Sequence, residues 1–422
     1  MSSEVDSQGT IEVTKEVPQH RFFGLSQNVF VFGFVSMLTD FSSELTVKIL
    51  PLFLANVLGV KPSIIGFIEG LAETAATLLK WVFGWLSDRL SRRKWLAFTG
   101  YGISSLSKPF LYFVSSWPGA AALRFLDRTG KGIRSSPKDA LLADSSSKHK
   151  LGRSFGYGRS MDTLGSVFSM LAAAGIVAST GAAAVVLTRP MYQKLVLMAT
   201  VPALVALPLI VFFVREIAPQ HGPVSTLSLS LRGFDWRFRA FLAIMVVFTL
   251  GNSSDAFLLL KAQNAGLDIA QIFLMLAMWK GVTSALGIPA GILSDRIGRG
   301  RVIRAGWIIY AGVYLGFAFA NKSWQIWGLY ALYGVFYAMT EGIGSALVAD
   351  LVPESGKRGT AFGLYNAAIG ISALPASLIA GLLWQHVNPG APFLFGAVLA
   401  VVSVIAMTVL MSLDGKVPSF SS

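Results

Sequence analysis

The stretch GWLSDRLSRRK at 84–94 returns, slightly altered, as GILSDRIGRGR at 291–301, an offset of 207 residues. Two shorter matches share that period. ALLAD at 140–144 returns as ALVAD at 346–350, an offset of 206, and FSSE at 41–44 resembles NSSD at 252–255. Each match keeps its place among the apolar segments around it: within the first segment of a half, after the second, or at the end of the fourth. One repetition at this period means two copies of one unit. In an apolar chain the expected arrangement is two parallel halves related by an axis along the membrane normal.

The apolar segments supply that setting. Of 422 residues, 54% are hydrophobic and 14% charged, and the mean hydropathy is +0.62. A soluble domain carries about 25% charged residues. About 20 mostly apolar residues cross a hydrocarbon core, and twelve stretches qualify. The first six are 28–57, 64–86, 95–114, 119–143, 155–179 and 194–214; the second six are 240–263, 270–293, 302–320, 325–350, 360–383 and 392–412. The expected fold is therefore an all-α membrane protein with twelve transmembrane helices in two pseudo-symmetric six-helix bundles. Its organisation reads as a polar cytoplasmic tail (1–25), an N-terminal bundle (26–214), a cytoplasmic linker (215–238), a C-terminal bundle (239–414) and a short tail (415–422).

Loop charges orient the chain. With the N-terminus in the cytoplasm, inside loops hold 18 Lys and Arg, and outside loops hold only Lys61, Arg189, Lys194 and Lys322. This bias predicts both termini in the cytoplasm of a multi-pass protein in the cell membrane. It also accounts for the net charge of +13 without nucleic acid as a partner. No cleavable signal peptide is expected in 1–25. There is no cysteine, and the four histidines (His20, His149, His221, His386) lie outside the apolar runs. Thiol chemistry and His/Cys metal sites are excluded. Gly130-Lys131-Gly132 lacks the context of a phosphate loop, and no cofactor is implied. Trp81, Trp85, Trp95, Trp117, Trp324 and Trp327 sit where aromatic anchors belong.

Charges inside the spans carry the functional signal. An ionisable group at mid-bilayer costs several kcal/mol, so it faces a cavity or a partner. Helix 1 carries Asp40, Glu44 and Lys48; helix 2 carries Glu69, Glu73 and Lys80; helix 3 carries Lys108; helix 5 carries Arg159 and Asp162. In the second half stand Asp255, Lys261, Lys280 and Glu341. On helix 4, Arg124, Asp127, Lys131, Arg134 and Lys138 recur every three or four residues, which makes one helical stripe. Asp40/Glu44 and Glu69/Glu73 are i, i+4 pairs, and two carboxylates on one dry face do not both ionise easily. Each pair is thus a candidate proton carrier. Lys48 is placed to snorkel and Lys138 to meet water at the inner boundary. The candidate cavity set is Asp40, Glu44, Glu69, Glu73, Arg124, Asp127, Lys131, Asp255, Lys280 and Glu341. Buried ion pairs that only hold helices in register are the competing explanation for any one of them.

The duplicated loop resembles the signature between helices 2 and 3 of the major facilitator superfamily, roughly G-x-x-x-D-R-x-G-R-R/K. The first copy departs from it at Ser91, where glycine is usual, and the second has Gly298 there. RFLDRTGKGIRSSPKDALLAD at 124–144 is similar to the family's helix-4 arginine motif. Arg124 matches its arginine, while Arg128 stands where glycine is common. The wording is close to a bacterial permease branch. The resemblance implies a loop that latches as the halves rock, with gating residues Gly84, Asp88 and Arg89 and, in the second copy, Gly291, Asp295 and Arg296. The glycines would let helices approach closely, and the aspartates would pair with nearby arginines or face the positive N-terminus of a helix in the other half. It further implies that helices 1, 4, 7 and 10 line a cavity.

The expected function is secondary active transport of a small polar or amphiphilic solute by alternating access. Protons are the expected coupling ion, and export is favoured on resemblance. The basic helix-4 stripe points to an anionic group on the solute. The expected transport unit is a monomer in a lipid bilayer. A transporter-like receptor that binds a ligand without turnover is the alternative, and it lacks the long cytoplasmic extensions such proteins carry. An intramembrane enzyme is excluded by the absence of a Ser/His/Asp set or HExxH within the spans.

Overall fold

The computed structural model describes residues 21–22, 25–90, 92–146, 151–179, 186–217, 231–352 and 355–412. Most of the expected 1–25 tail, the central part of the linker and the 415–422 tail lie outside these residues. The first half holds α1 (Gln27–Asn56), α2 (Pro62–Leu90), α3 (Arg93–Leu111), α4 (Trp117–Asp144), α5 (Leu151–Ser179) and α6 (Arg189–Phe213). The second holds α7 (Trp236–Gly251), α8 (Asp255–Asn264), α9 (Ile269–Ile297), α10 (Arg299–Phe319), α11 (Ser323–Thr340), α12 (Ile343–Leu351), α13 (Ser355–His386) and α14 (Ala391–Ser412). A short antiparallel pair, β1 (Arg21–Phe22) with β2 (Leu25–Ser26), leads into α1. The expected tail therefore ends in structure: Leu25 is buried, and Ser26 caps α1 by accepting from the Val29 amide.

Among the described residues fourteen helices make twelve spans, because two spans are broken. The expected continuous helix over 240–263 is α7 and α8, separated at 252–254, and that over 325–350 is α11 and α12, separated at 341–342. The first break follows from local chemistry. Gly251 and Asn252 are poor helix formers, Ser254 caps the new helix through the Ala256 amide, and the buried Tyr310 hydroxyl donates to the freed Gly251 carbonyl at 3.0 Å. The second break turns on Gly342, whose φ of +94° suits glycine alone. FSSE in the first half lies within the unbroken α1, so the sequence match with NSSD does not extend to backbone. Residues 236–238 of the expected linker belong to α7.

The two halves pack alike. α1 lies on α5 and α6 as α7 lies on α13 and α14; α3 lies on α4 and α6 as α10 lies on α11 and α14; α2 contacts α4 as α9 contacts α11. The halves meet through α2 with α13 and α5 with α9, the same joint used twice, and through α1 with α8. Among the described helices, nine spans are long and apolar enough to cross a bilayer, with each broken helix counted as one. The other three, α2, α3 and α4, are those whose charges form the ion-pair network described below.

Both copies of the repeated sequence do the same mechanical work. Arg93, at the start of α3, bonds the Ala140 carbonyl and pairs with Asp144 at the end of α4. Arg299, at the start of α10, bonds the Ala346 carbonyl and pairs with Asp350 at the end of α12. The loop motif and the ALLAD/ALVAD motif are thus two sides of one clamp, which makes each half stiff at its loop face.

Candidate functional site

The N-terminal bundle encloses a buried charge network. Glu69 of α2 takes two bonds from the Arg124 guanidinium of α4, at 3.1 and 2.6 Å. Arg124 also approaches Asp127 at 3.6 Å, and Asp127 accepts from Ser104 of α3 at 2.6 Å. Lys108 of α3 lies 3.7 Å from Asp127 and donates to Ser43 of α1 at 3.0 Å. Lys108 is 0% exposed and Arg124 5%. These charge-assisted contacts offset the desolvation of the ions and tie α1, α2, α3 and α4 into one body. Glu69, Arg124 and Asp127 therefore face inward within one half and not the crevice between the halves. Glu73 is exposed and meets Arg128 at 3.9 Å.

The crevice is lined by a different set. Among the described residues three ion pairs join the halves: Lys48 of α1 with Asp255 of α8 at 2.8 Å, Glu44 of α1 with Lys280 of α9 at 3.6 Å, and Arg159 of α5 with Glu341. Asp255 and Glu341 sit on the two helix breaks, where the chain can present a carboxylate without following a helical face. Asp255 starts α8, where the helix dipole favours negative charge, and it also accepts from the Tyr333 hydroxyl at 3.1 Å. The ammonium groups of Lys48 and Lys280 each lie 5.0 Å from the Trp279 ring, which packs against Tyr333 and Tyr337. The C-terminal wall of the crevice thus adds to the charges of Asp255, Lys280 and Glu341 an aromatic cluster that the N-terminal wall does not match among the described residues.

Of the i, i+4 acid pairs, Glu69 and Glu73 are divided between two arginines of α4. Glu44, Glu69 and Glu73 each meet a base on another helix, while Asp40 lines the cavity of the first half beside Asp162. Lys48, expected to snorkel, is buried and bonded to Asp255. Lys138, expected at the water boundary, is half-buried and donates to Ser36 at 3.1 Å. A cavity of about 410 Å³ opens beside them in the first half, with Asp40, Lys131, Arg134, Arg159 and Asp162 among its lining. Arg134, Arg159, Asp162, Lys48, Trp279 and Tyr333 extend the candidate set beyond the sequence reading. The signal for the charged ones was present, as charges inside spans. Trp279 and Tyr333 had none beyond composition.

One end of the crevice is shut and the other open. At the end away from the repeated loops, the Ser63 hydroxyl donates to Gln385 at 2.6 Å. There Gly381 lets α13 approach the α2 backbone: an added Cβ would lie 2.6 Å from the Pro62 oxygen. Toward the loops, Gly156 and Gly158 of α5 and Gly281, Gly287 and Gly291 of α9 have nothing within 4 Å of such a Cβ. Gly84 approaches Ser136 of α4, as expected of a helix contact, but Gly291 does not, because the loop end of α9 stands free beside the opening. In the loop motif, Asp295 lies 3.8 Å from Arg299, Arg89 packs 5.4 Å from the Trp85 ring, and Arg296 is exposed. The Asp88 side chain lies outside the described residues. Among the described residues no group of His, Cys, Asp and Glu could hold a metal.

Comparison with known proteins matches this geometry to a family. A family model described as Major Facilitator Superfamily matches residues 32–278 and 240–422. An uncharacterized MFS-type transporter of Methanocaldococcus jannaschii is 36% identical over 385 residues, covering 90% of this chain and 94% of that protein. A multidrug efflux pump of Mycolicibacterium smegmatis is 30% identical over 113 residues, covering 27% of this chain and 22% of its own length. Among solved structures, a POT family transporter in complex with a thioalcohol-conjugated peptide superposes with a TM-score of 0.78 at 12% identity, covering 94% of this chain and 98% of that one.

Proposed function

This chain belongs to the major facilitator superfamily, a family of membrane transporters and not of enzymes, and from that membership we propose a proton-coupled secondary transporter that exports a small polar or amphiphilic solute. One chain is the transport unit, set in the cell membrane with its loop face and both termini in the cytoplasm. The crevice is then open to the cytoplasm and closed outside.

The observation that carries this reading is the trio of ion pairs between the halves. A stiff half can rock against its partner only if Lys48–Asp255, Glu44–Lys280 and Arg159–Glu341 separate. Separating the two more buried pairs, Lys48–Asp255 and Glu44–Lys280, is costly while both members are charged; the exposed Arg159–Glu341 pair contributes less. Protonating Glu44, Asp255 or Glu341 removes the attraction, so a proton taken up on one side favours one tilt of the halves and its release favours the other. A solute that competes for the freed bases acts on the same equilibrium, which couples the two by their differing affinities for the two states. The aromatic cluster around Trp279 suits the apolar part of an amphiphile, and the charges beside it suit its polar part. The partial likeness to a multidrug efflux pump supports the outward direction.

The test is reconstitution in liposomes carrying a pH-sensitive dye, with a panel of solutes added on either side. Solute-dependent proton movement is expected, with loss of coupling in Glu44→Gln and Asp255→Asn. Full coupling in both variants would overturn the assignment. Ligand binding with no flux of any solute or proton would favour the receptor alternative.

A further inference from the structure

The cavity in the N-terminal half holds more positive charge than its own acids neutralise. Its basic lining is Lys80, Lys131, Arg134, Lys138 and Arg159. Its acidic lining is Asp40, Asp139 and Asp162. Five bases line the cavity against three acids, and with Arg159 committed to Glu341 across the crevice the formal excess is one positive charge. Lys80, Lys131 and Arg134 have no carboxylate partner among the described residues. Arg134 is 5% exposed, its guanidinium lies over the Tyr101 ring at 4.5 Å, and its Nη1 finds no hydrogen-bond partner among the described residues. Elsewhere in the same bundle the buried cations Arg124 and Lys108 each have a carboxylate within 4 Å, which Arg134 lacks among the described residues. A buried cation with an unused donor is costly, and the fold keeps one here beside a space of about 410 Å³, large enough for a small ligand.

We propose that this cavity is an anion subsite that takes a phosphate-type anion, with Arg134 as its fixed donor and Lys131 and Lys80 as mobile counter-charges. Arg134 is held in one orientation by Tyr101, and a planar guanidinium suits two oxygens of one tetrahedral anion. Lys131 and Lys80 are exposed and can close on the remaining charge. Lys138, already donating to Ser36 at 3.1 Å, adds field without needing to move. The subsite deepens the transport reading and rests on it only for the fate of the bound anion. The same chemistry would be supplied by a soluble phosphorylated solute or by the headgroup of an anionic lipid.

The experiment uses the full-length purified chain. Thermal unfolding in detergent is followed while inorganic phosphate is titrated against chloride at equal ionic strength. A second arm compares nanodiscs of phosphatidylcholine with and without phosphatidic acid. Phosphate is expected to raise the melting temperature of the wild type, and Lys131→Gln and Arg134→Gln are each expected to weaken its apparent affinity by about tenfold or more. Lys131 has no carboxylate partner to lose, so its variant should fold as the wild type does. Stabilisation by phosphatidic acid alone, lost in both variants, keeps the subsite and assigns the anion to a headgroup. No stabilisation by either probe, or equal stabilisation of wild type and Lys131→Gln, overturns the proposal. Phosphate binding in a protein that moves no proton would sink the transport reading and leave the subsite standing.

Discussion

Gly381→Ala should tip the chain away from the state seen here. In this state α13 lies so close to the start of α2 that a Cβ at 381 would fall 2.6 Å from the Pro62 oxygen and 2.7 Å from Ser63 Cα. Both are backbone atoms and cannot swing aside. Restoring ordinary contact at 3.4 Å needs the two helices to part by about 0.8 Å, and such overpacking costs ~1–3 kcal/mol. If the halves rock, that contact opens in the other state and the penalty disappears there. The whole cost then falls on the equilibrium between states, a factor of roughly 5–150. The readout is thiol labelling of Gly158→Cys, which lines the loop-side cavity and has open space for its side chain. The chain has no cysteine of its own, so the background is clean. From a balanced starting population, a penalty of about 1 kcal/mol lowers the labelling rate about threefold. Gly175→Ala, with nothing within 4 Å, should leave it unchanged. Unaltered labelling in Gly381→Ala, with the protein folded, would refute a moving joint between α2 and α13.

Further outcomes follow from the same contacts. Arg124→Gln leaves Glu69 and Asp127 short of their shared cation and should destabilise the detergent-solubilised protein by ~3–5 kcal/mol, read by denaturant or thermal unfolding; a change below about 1 kcal/mol would mean that water reaches the network. Asp144→Asn should cost far more than Asp350→Asn, because the Arg93–Asp144 side chains are 9% and 5% exposed and the Arg299–Asp350 side chains 29% and 53%; a largely solvated pair contributes about 0–1 kcal/mol. Equal melting temperatures for the two variants would contradict burial as the cause. Tyr310→Phe withdraws the donor to the Gly251 carbonyl and should cost ~1–3 kcal/mol, with faster amide exchange around 251–256; unchanged exchange would mean the break is held by Ser254 alone.

The number of spans, the two-fold repeat and the presence of charges in the membrane were all legible in the chain itself. They depend on local composition and on period, which survive without a partner in view. The clamp between the two repeated motifs shows where legibility stops: Arg93 and Asp144 each stood inside a quoted motif, yet their contact spans 51 residues and had no spacing to announce it. The tertiary structure alone decided which charge meets which. It separated Glu69 and Arg124, enclosed in one half, from Glu44 and Lys280, shared by both, although all four sit on similar apolar helices. It also decided the breaks at 252–254 and 341–342, because a helix can be interrupted only where a neighbour such as Tyr310 takes up the freed backbone group. Side-chain type and order set what each residue can bond. Which bond is made depends on how near the folded helices bring it, and that distance is written nowhere in the local sequence.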